Sequence, residues 1–127
     1  MRPIILTVDD AKAVRDLVEK TVRPFDCEVT SASNGYNAFF AIEKARPHLI
    51  LLDISMPVMD GIETLSRLKG APEIADIPVI MLTSRADHRV VPRLPSLGAK
   101  DTLMKPFSEA ALLEKIRSVL PLKPTKV

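Results

Sequence analysis

Asp9, Asp10, Asp53, Thr83 and Lys105 are the residues whose types and placement can do chemistry. Each follows directly on a short apolar run. Ile4-Ile5-Leu6-Thr7-Val8 ends at Asp9-Asp10, His48-Leu49-Ile50-Leu51-Leu52 at Asp53, Val79-Ile80-Met81-Leu82 at Thr83, and Thr102-Leu103-Met104 at Lys105. Taken singly, each residue has an ordinary reading. Asp9-Asp10 would cap a helix, where carboxylates meet the positive end of the dipole. Asp53 would begin a turn before Met56-Pro57, Thr83 would cap the next helical segment, and Lys105 would be a solvated charge. Taken together, they put three carboxylates, a hydroxyl and an amine at the ends of four strands. Three carboxylates at one place repel by roughly 3 kcal/mol per pair at ~5 Å and an effective dielectric of ~20. A hard divalent cation with oxygen ligands offsets this, and Mg²⁺ typically takes one or two carboxylates together with waters and phosphate oxygens. Lys105 adds a point charge for Asp53 or for a phosphoryl oxygen, and Thr83 adds a hydroxyl donor. The set suits aspartyl-phosphate chemistry, with Asp53 as the nucleophile.

The elements that must position these groups are legible from periodicity. Apolar runs that end in polar residues suit strands buried on both faces of a parallel sheet, and a weaker run over 27–31 makes a fifth strand. Between them lie helical patterns: Val14, Leu17, Val18 and Val22; Ala38, Phe39 and Ile42; Ile62, Leu65 and Leu68; and, after the N-cap Ser108, Leu112, Leu113, Ile116, Val119 and Leu120. Gly70 and Gly98 mark helix ends. Strand and helix alternate five times, which predicts an α/β fold with a doubly wound parallel sheet. In such a sheet ligands bind outside the carboxyl ends of the strands, where the polar residues fall. Pro121 and Pro124 end the last helix and leave residues 121–127 as a short polar tail or linker stub after a single domain over 1–120.

A chain of 127 residues fits one domain. Lys and Arg number 18 against 16 Asp and Glu and are scattered among them, so the sequence shows no nucleic-acid stripe. Cys27 is the only cysteine, which excludes an internal disulfide and a thiolate metal site; it reads as a buried thiol in a reducing compartment. The first acid arrives too early for a signal peptide, and no apolar run approaches a membrane span. The expectation is a cytoplasmic protein with neither nucleic acid nor membrane as partner. His48 and His88 read as surface residues.

Val8-Asp9-Asp10, Leu51-Leu52-Asp53-Ile54-Ser55-Met56-Pro57-Val58-Met59-Asp60-Gly61, Thr83-Ser84, Gly98-Ala99 and Lys105-Pro106-Phe107 occur in an order and spacing that resembles the receiver domains of two-component response regulators, over residues 4–120. The resemblance implies a flavodoxin-like, five-stranded sheet of order 2-1-3-4-5 with helices on both faces. It implies that Asp53 takes a phosphoryl group from a histidine kinase or histidine phosphotransfer protein, with Asp9, Asp10, Asp53 and the Ser55 carbonyl around Mg²⁺ and with Thr83 and Lys105 reading the phosphoryl group. It also implies a cis Lys105-Pro106 bond. Such a domain is a signalling phosphoacceptor that catalyses only its own phosphorylation and dephosphorylation.

Two positions depart from the family pattern. Thr102 stands where a Tyr or Phe is common, and Pro92 and Pro95 fall where the fourth helix should run. Proline inside a helix costs roughly 3 kcal/mol outside the first turn, so the sequence predicts two short turns in place of one helix over 85–97. Three other readings use similar residues. A haloacid-dehalogenase-like phosphatase would place a second Asp where Ser55 stands and its acidic pair late in the chain. A flavodoxin-like FMN protein would need a phosphate-cradling loop where Asp9-Asp10 repel phosphate. A pseudo-receiver would keep the fold and never take phosphate.

Overall fold

The computed structural model describes residues 2–125. Its elements are β1 (Ile4–Val8), α1 (Lys12–Val22), β2 (Glu28–Ala32), α2 (Gly35–Lys44), β3 (Leu49–Asp53), α3 (Gly61–Gly70), β4 (Val79–Thr83), two 3₁₀ turns at Arg85–Asp87 and Val91–Arg93, β5 (Asp101–Met104) and α4 (Glu109–Val119). The five strands are parallel in the order β2-β1-β3-β4-β5, as the resemblance implied. β3 and β4 are buried along their whole length, which explains why their sequences are apolar on both faces up to the terminal polar residue.

Strand alternation sorts the core into two layers. Ile5, Leu49, Leu51, Ile80 and Leu82 pack with Val18, Val22, Leu112 and Ile116 of α1 and α4. Leu6, Val8, Ile50, Leu52, Val79 and Met81 pack with Ala38, Ile42, Leu65 and Leu68 of α2 and α3. Asn34, Asp60 and Ser108 cap α2, α3 and α4 by accepting from the backbone N–H three residues on.

Four α-helices form, and two short 3₁₀ turns stand in place of a helix over 85–97, as the sequence predicts. Pro92 and Pro95 deny the segment before β5 a continuous helix; Pro92 sits in the first turn of its 3₁₀ segment, where it sacrifices no hydrogen bond. Gly98 closes the segment with φ 105°, a conformation L side chains rarely adopt. β2 begins at Glu28, one residue later than the apolar pattern suggests, while Cys27 is buried just ahead of it. His88 is exposed, but His48 is half-buried: its Nδ1 accepts the Ile4 N–H at 3.0 Å, and its own N–H donates to the Ile4 carbonyl at 2.8 Å.

Residues 121–125 do not form a free tail. Leu122 is buried in the α1–α4 layer, Phe25 and Pro124 form an antiparallel bridge, Asp26 N–H donates to the Lys123 carbonyl, and Thr125 N–H donates to the Pro24 carbonyl. One apolar side chain and two backbone bonds outweigh the polar look of the sequence. Lys126 and Val127 lie outside the described residues. No helix among the described residues is long and apolar enough to cross a membrane.

Candidate functional site

Register brings the polar residues together. Val8 is level with Leu52, Asp53 with Leu82 and Thr83 with Met104, so Asp9, Asp53, Thr83 and Lys105 emerge at one rim of the sheet. Asp9 is fully buried and fully partnered. Its N–H donates to the Ala32 carbonyl, Oδ1 accepts the Ala11 N–H at 2.9 Å, and its carbonyl accepts from Arg15 Nη1 at 2.6 Å. Asp10 is exposed and does not cap α1, whose N-cap position is Ala11 without a side-chain bond. Asp53 is buried at the end of β3.

Lys105 joins the two buried carboxylates. Its Nζ lies 2.7 Å from Asp9 Oδ2 and 3.0 Å from Asp53 Oδ1. Its backbone N–H donates to the Thr83 carbonyl at 2.7 Å, tying the amine's origin to the end of β4, and the Lys105-Pro106 bond is cis. The sequence pairs Lys105 with Asp53; the structure places its amine nearer to Asp9. Burial pushes the Asp53 carboxyl above its ordinary value, the hydrogen bond from Lys105 pulls against that, and the charge of Asp9 adds to the upward push. For Lys105 burial works downward, but the hydrogen bonds to Asp9 and Asp53 prevail and hold the amine above its ordinary value.

Carboxylate oxygens of Asp9, Asp10 and Asp53 lie within 4.8 Å of one another. Three hard oxygen donors converging at one point, with a single cationic amine beside them, fit a small divalent cation. Ser55 is exposed, two residues after Asp53, and among the described residues no hydrogen bond takes up its carbonyl. The loop that carries it is held by Gly61, whose N–H donates to the Ile54 carbonyl at 2.7 Å. A Cβ on Gly61 would collide with the backbone of Asp53 and Ile54, so glycine is required for α3 to start this close to the end of β3. In the same loop Val58 adopts φ 71°.

Sequence reading missed the positioning contact from Arg15, and the close approach at Gly61 was present only as part of a motif. Neither is a periodicity signal: an arginine six residues past Asp9 reveals its partner only once α1 turns back over the strand end. Beside the rim, Ala13, Val14, Leu17, Lys105, Pro106 and Phe107 line a cavity of about 440 Å³.

Residues 5–117 match the family of response regulator receiver domains. The chain is 39% identical over 118 residues to a probable transcriptional regulator, ycf27, of Pyropia yezoensis, covering 91% of this chain and 46% of that protein. It is 35% identical over 123 residues to sporulation initiation phosphotransferase F of Bacillus subtilis, covering 97% and 98%. The chain thus spans about half the length of the first relative and nearly all of the second. Among solved structures, the chemotaxis response regulator CheY4 of Vibrio cholerae superposes with a TM-score of 0.86 at 31% identity, covering 94% of this chain and 100% of that one. Five parallel strands in this order, an acidic rim with its lysine, and a family match over most of the chain lead to one assignment: the chain belongs to the response regulator receiver domains of two-component signalling.

Proposed function

We propose that this domain accepts a phosphoryl group on Asp53 from the phosphohistidine of a histidine kinase or histidine phosphotransfer protein, in a Mg²⁺-dependent reaction, and that it switches partner binding as a result. The observation that carries the reading is the Lys105 amine shared between buried Asp9 and Asp53, with Asp10 alongside. Asp9, Asp10, Asp53 and the Ser55 carbonyl would hold Mg²⁺. When bound, Mg²⁺ neutralises charge on the phosphoryl oxygens and offsets the repulsion among the three carboxylates.

The chain's own groups do the rest. An Asp53 oxygen attacks phosphorus as the bond to the donor imidazole breaks, and the leaving nitrogen keeps the electron pair. Lys105, anchored to Asp9, supplies a fixed positive charge for a phosphoryl oxygen, and the Thr83 hydroxyl donates to the same group. Arg15 and Ala11 hold Asp9 so that it cannot turn away. The apolar cavity beside Phe107 offers the donor protein a seat next to the nucleophile. The domain acts as a cytoplasmic switch and turns over no external substrate.

Intact-protein mass spectrometry after treatment with acetyl phosphate and Mg²⁺ tests the reading. One added phosphate is expected, dependent on Mg²⁺ and absent in Asp53→Asn. An unmodified wild-type protein would favour a pseudo-receiver. Repeated release of phosphate from small phosphomonoesters would favour a phosphatase.

A further inference from the structure

β2 closes one side of the sheet, and its outer edge carries polar groups that no neighbouring strand takes up. Glu28 N–H donates to the Pro3 carbonyl and the Ala32 carbonyl accepts from Asp9 N–H, so the backbone of Glu28, Thr30 and Ala32 faces β1 while that of Val29 and Ser31 faces outward. Val29 packs into the α1–α4 layer, and the side chain of Ser31, two residues on, lies on that same face of the sheet. There it shares a cavity with Arg15 of α1. Arg15, Ser31, Ala32, Ser33, Asn37 and Phe40 line about 410 Å³ at this open edge, a volume within the roughly 300–1,000 Å³ of small-molecule sites.

Arg15 is the only charged residue of the lining. Its Nη1 donates to the Asp9 carbonyl at 2.6 Å, a neutral acceptor. Arg2, Arg46 and Arg67 each rest against a carboxylate, but among the described residues Arg15 has no such partner. A guanidinium carries several N–H donors in a fixed fork, so one bond to a carbonyl leaves room for an anion. Two hydroxyls stand beside it. Ser33 Oγ accepts from Asn37 Nδ2 at 3.4 Å and keeps its own proton to give, and Ser31 Oγ has no partner among the described residues. The remaining wall is Phe40, a ring left 70% exposed on α2.

We propose that this cavity binds a small aromatic carboxylate. The carboxylate takes the free donors of Arg15 and the hydroxyls of Ser31 and Ser33, and the ring system covers Phe40. One cation matches a monoanion; a phosphate dianion would keep a charge unpaired. The acidic side chain of a peptide brings the carboxylate without a ring to cover Phe40. Because Arg15 also holds Asp9, an occupied cavity is one side chain away from the acidic rim. Binding requires neither Mg²⁺ nor a phosphoryl group on Asp53, so its test stands apart from that of the function proposed above.

The test uses the full chain, metal-free, with naphthoate as the probe, followed by calorimetry and by amide shifts. Naphthoate is expected to bind saturably, with naphthalenemethanol, which lacks the charge, and acetate, which lacks the rings, each about tenfold weaker or more. Arg15→Gln should weaken naphthoate about tenfold. Phe40→Ser, at an exposed position on which folding does not depend, should weaken naphthoate about fivefold and leave the weak binding of acetate unchanged. Arg67→Gln, a surface arginine of α3, should change nothing. Amide shifts should gather at Ser31, Ser33, Asn37 and Asp9. The proposal is overturned by absence of saturable binding, by equal affinity for naphthoate and either comparison compound, by full affinity in Arg15→Gln or in Phe40→Ser, by shifts centred on the cavity beside Phe107, or by tighter binding of inorganic phosphate than of naphthoate.

Discussion

Burial holds the Asp53 carboxyl above its ordinary value, so ionising it is harder in the folded chain than in the unfolded one. The folded pKa lies above the unfolded value, and the group's stabilising contribution is therefore present below the unfolded pKa and lost as pH rises through the folded one. The penalty grows as pH rises above the unfolded pKa. Asp53→Asn is expected to raise the thermal midpoint of the metal-free protein near pH 7 and to bring little gain near pH 3, where the wild-type carboxyl is already protonated. A gain of equal size at both pH values would show that ionisation is not its source. Val58 is a second strained residue, a β-branched side chain at φ 71° that is 79% exposed and so compensated by little packing. Val58→Asn should stabilise by about 1 kcal/mol in urea denaturation, because asparagine tolerates the left-handed region. The place of Asp53 at the rim was readable from the sequence because a strand pattern ends on it. That Lys105 leans toward Asp9 was not, since nothing in a sequence says which of two carboxylates a flexible amine approaches more closely.

The strands and four helices were legible because their apolar spacing matches buried strands and one-sided helices. β2 slipped by one residue because an edge strand exposes Glu28 and Ser31 and has no clean pattern to fix its start. The segment over 85–97 was legible for the opposite reason, since two prolines forbid what the family pattern would supply. Its 3₁₀ bonds are short-range and mostly solvent-facing, so the amides over 85–93 should exchange much faster than those of Leu65 and Leu68 in α3. Equal protection in the two segments would mean that a continuous helix forms in solution. With Thr102 half-buried in place of an aromatic ring, the movement of this segment has no large side chain to couple to Thr83. A change at Asp53 is then expected to travel through the loops after β3 and β4, by contacts that differ between the two states.

At the scale of the whole molecule, a cation that binds only the folded acidic cluster stabilises by mass action, about 2.7 kcal/mol at a hundredfold excess over its dissociation constant. Millimolar Mg²⁺ should therefore raise the thermal midpoint and EDTA should reverse it. Asp10→Asn should stabilise the metal-free protein by relieving repulsion and should blunt the response to Mg²⁺. A midpoint indifferent to Mg²⁺ would remove the support for a metal centre at these carboxylates. Charge distribution is where sequence reading failed at this scale. Arg85, His88, Arg89 and Arg93 follow one another, all exposed, along the segment between β4 and β5, while Asp87 turns inward.

The clamp that holds residues 121–125 against the turn between α1 and β2 has a practical side. α1 and α4 both run back from the rim, so the clamp sits at the opposite end of the sheet, about 16 Å away for a strand of five residues. A surface anchor or fluorescent reporter joined after Thr125 would face away from Asp53, and immobilised protein should accept phosphate as fast as protein in free solution. Attachment at Ser55 or Pro106 would instead crowd the approach of any phosphodonor.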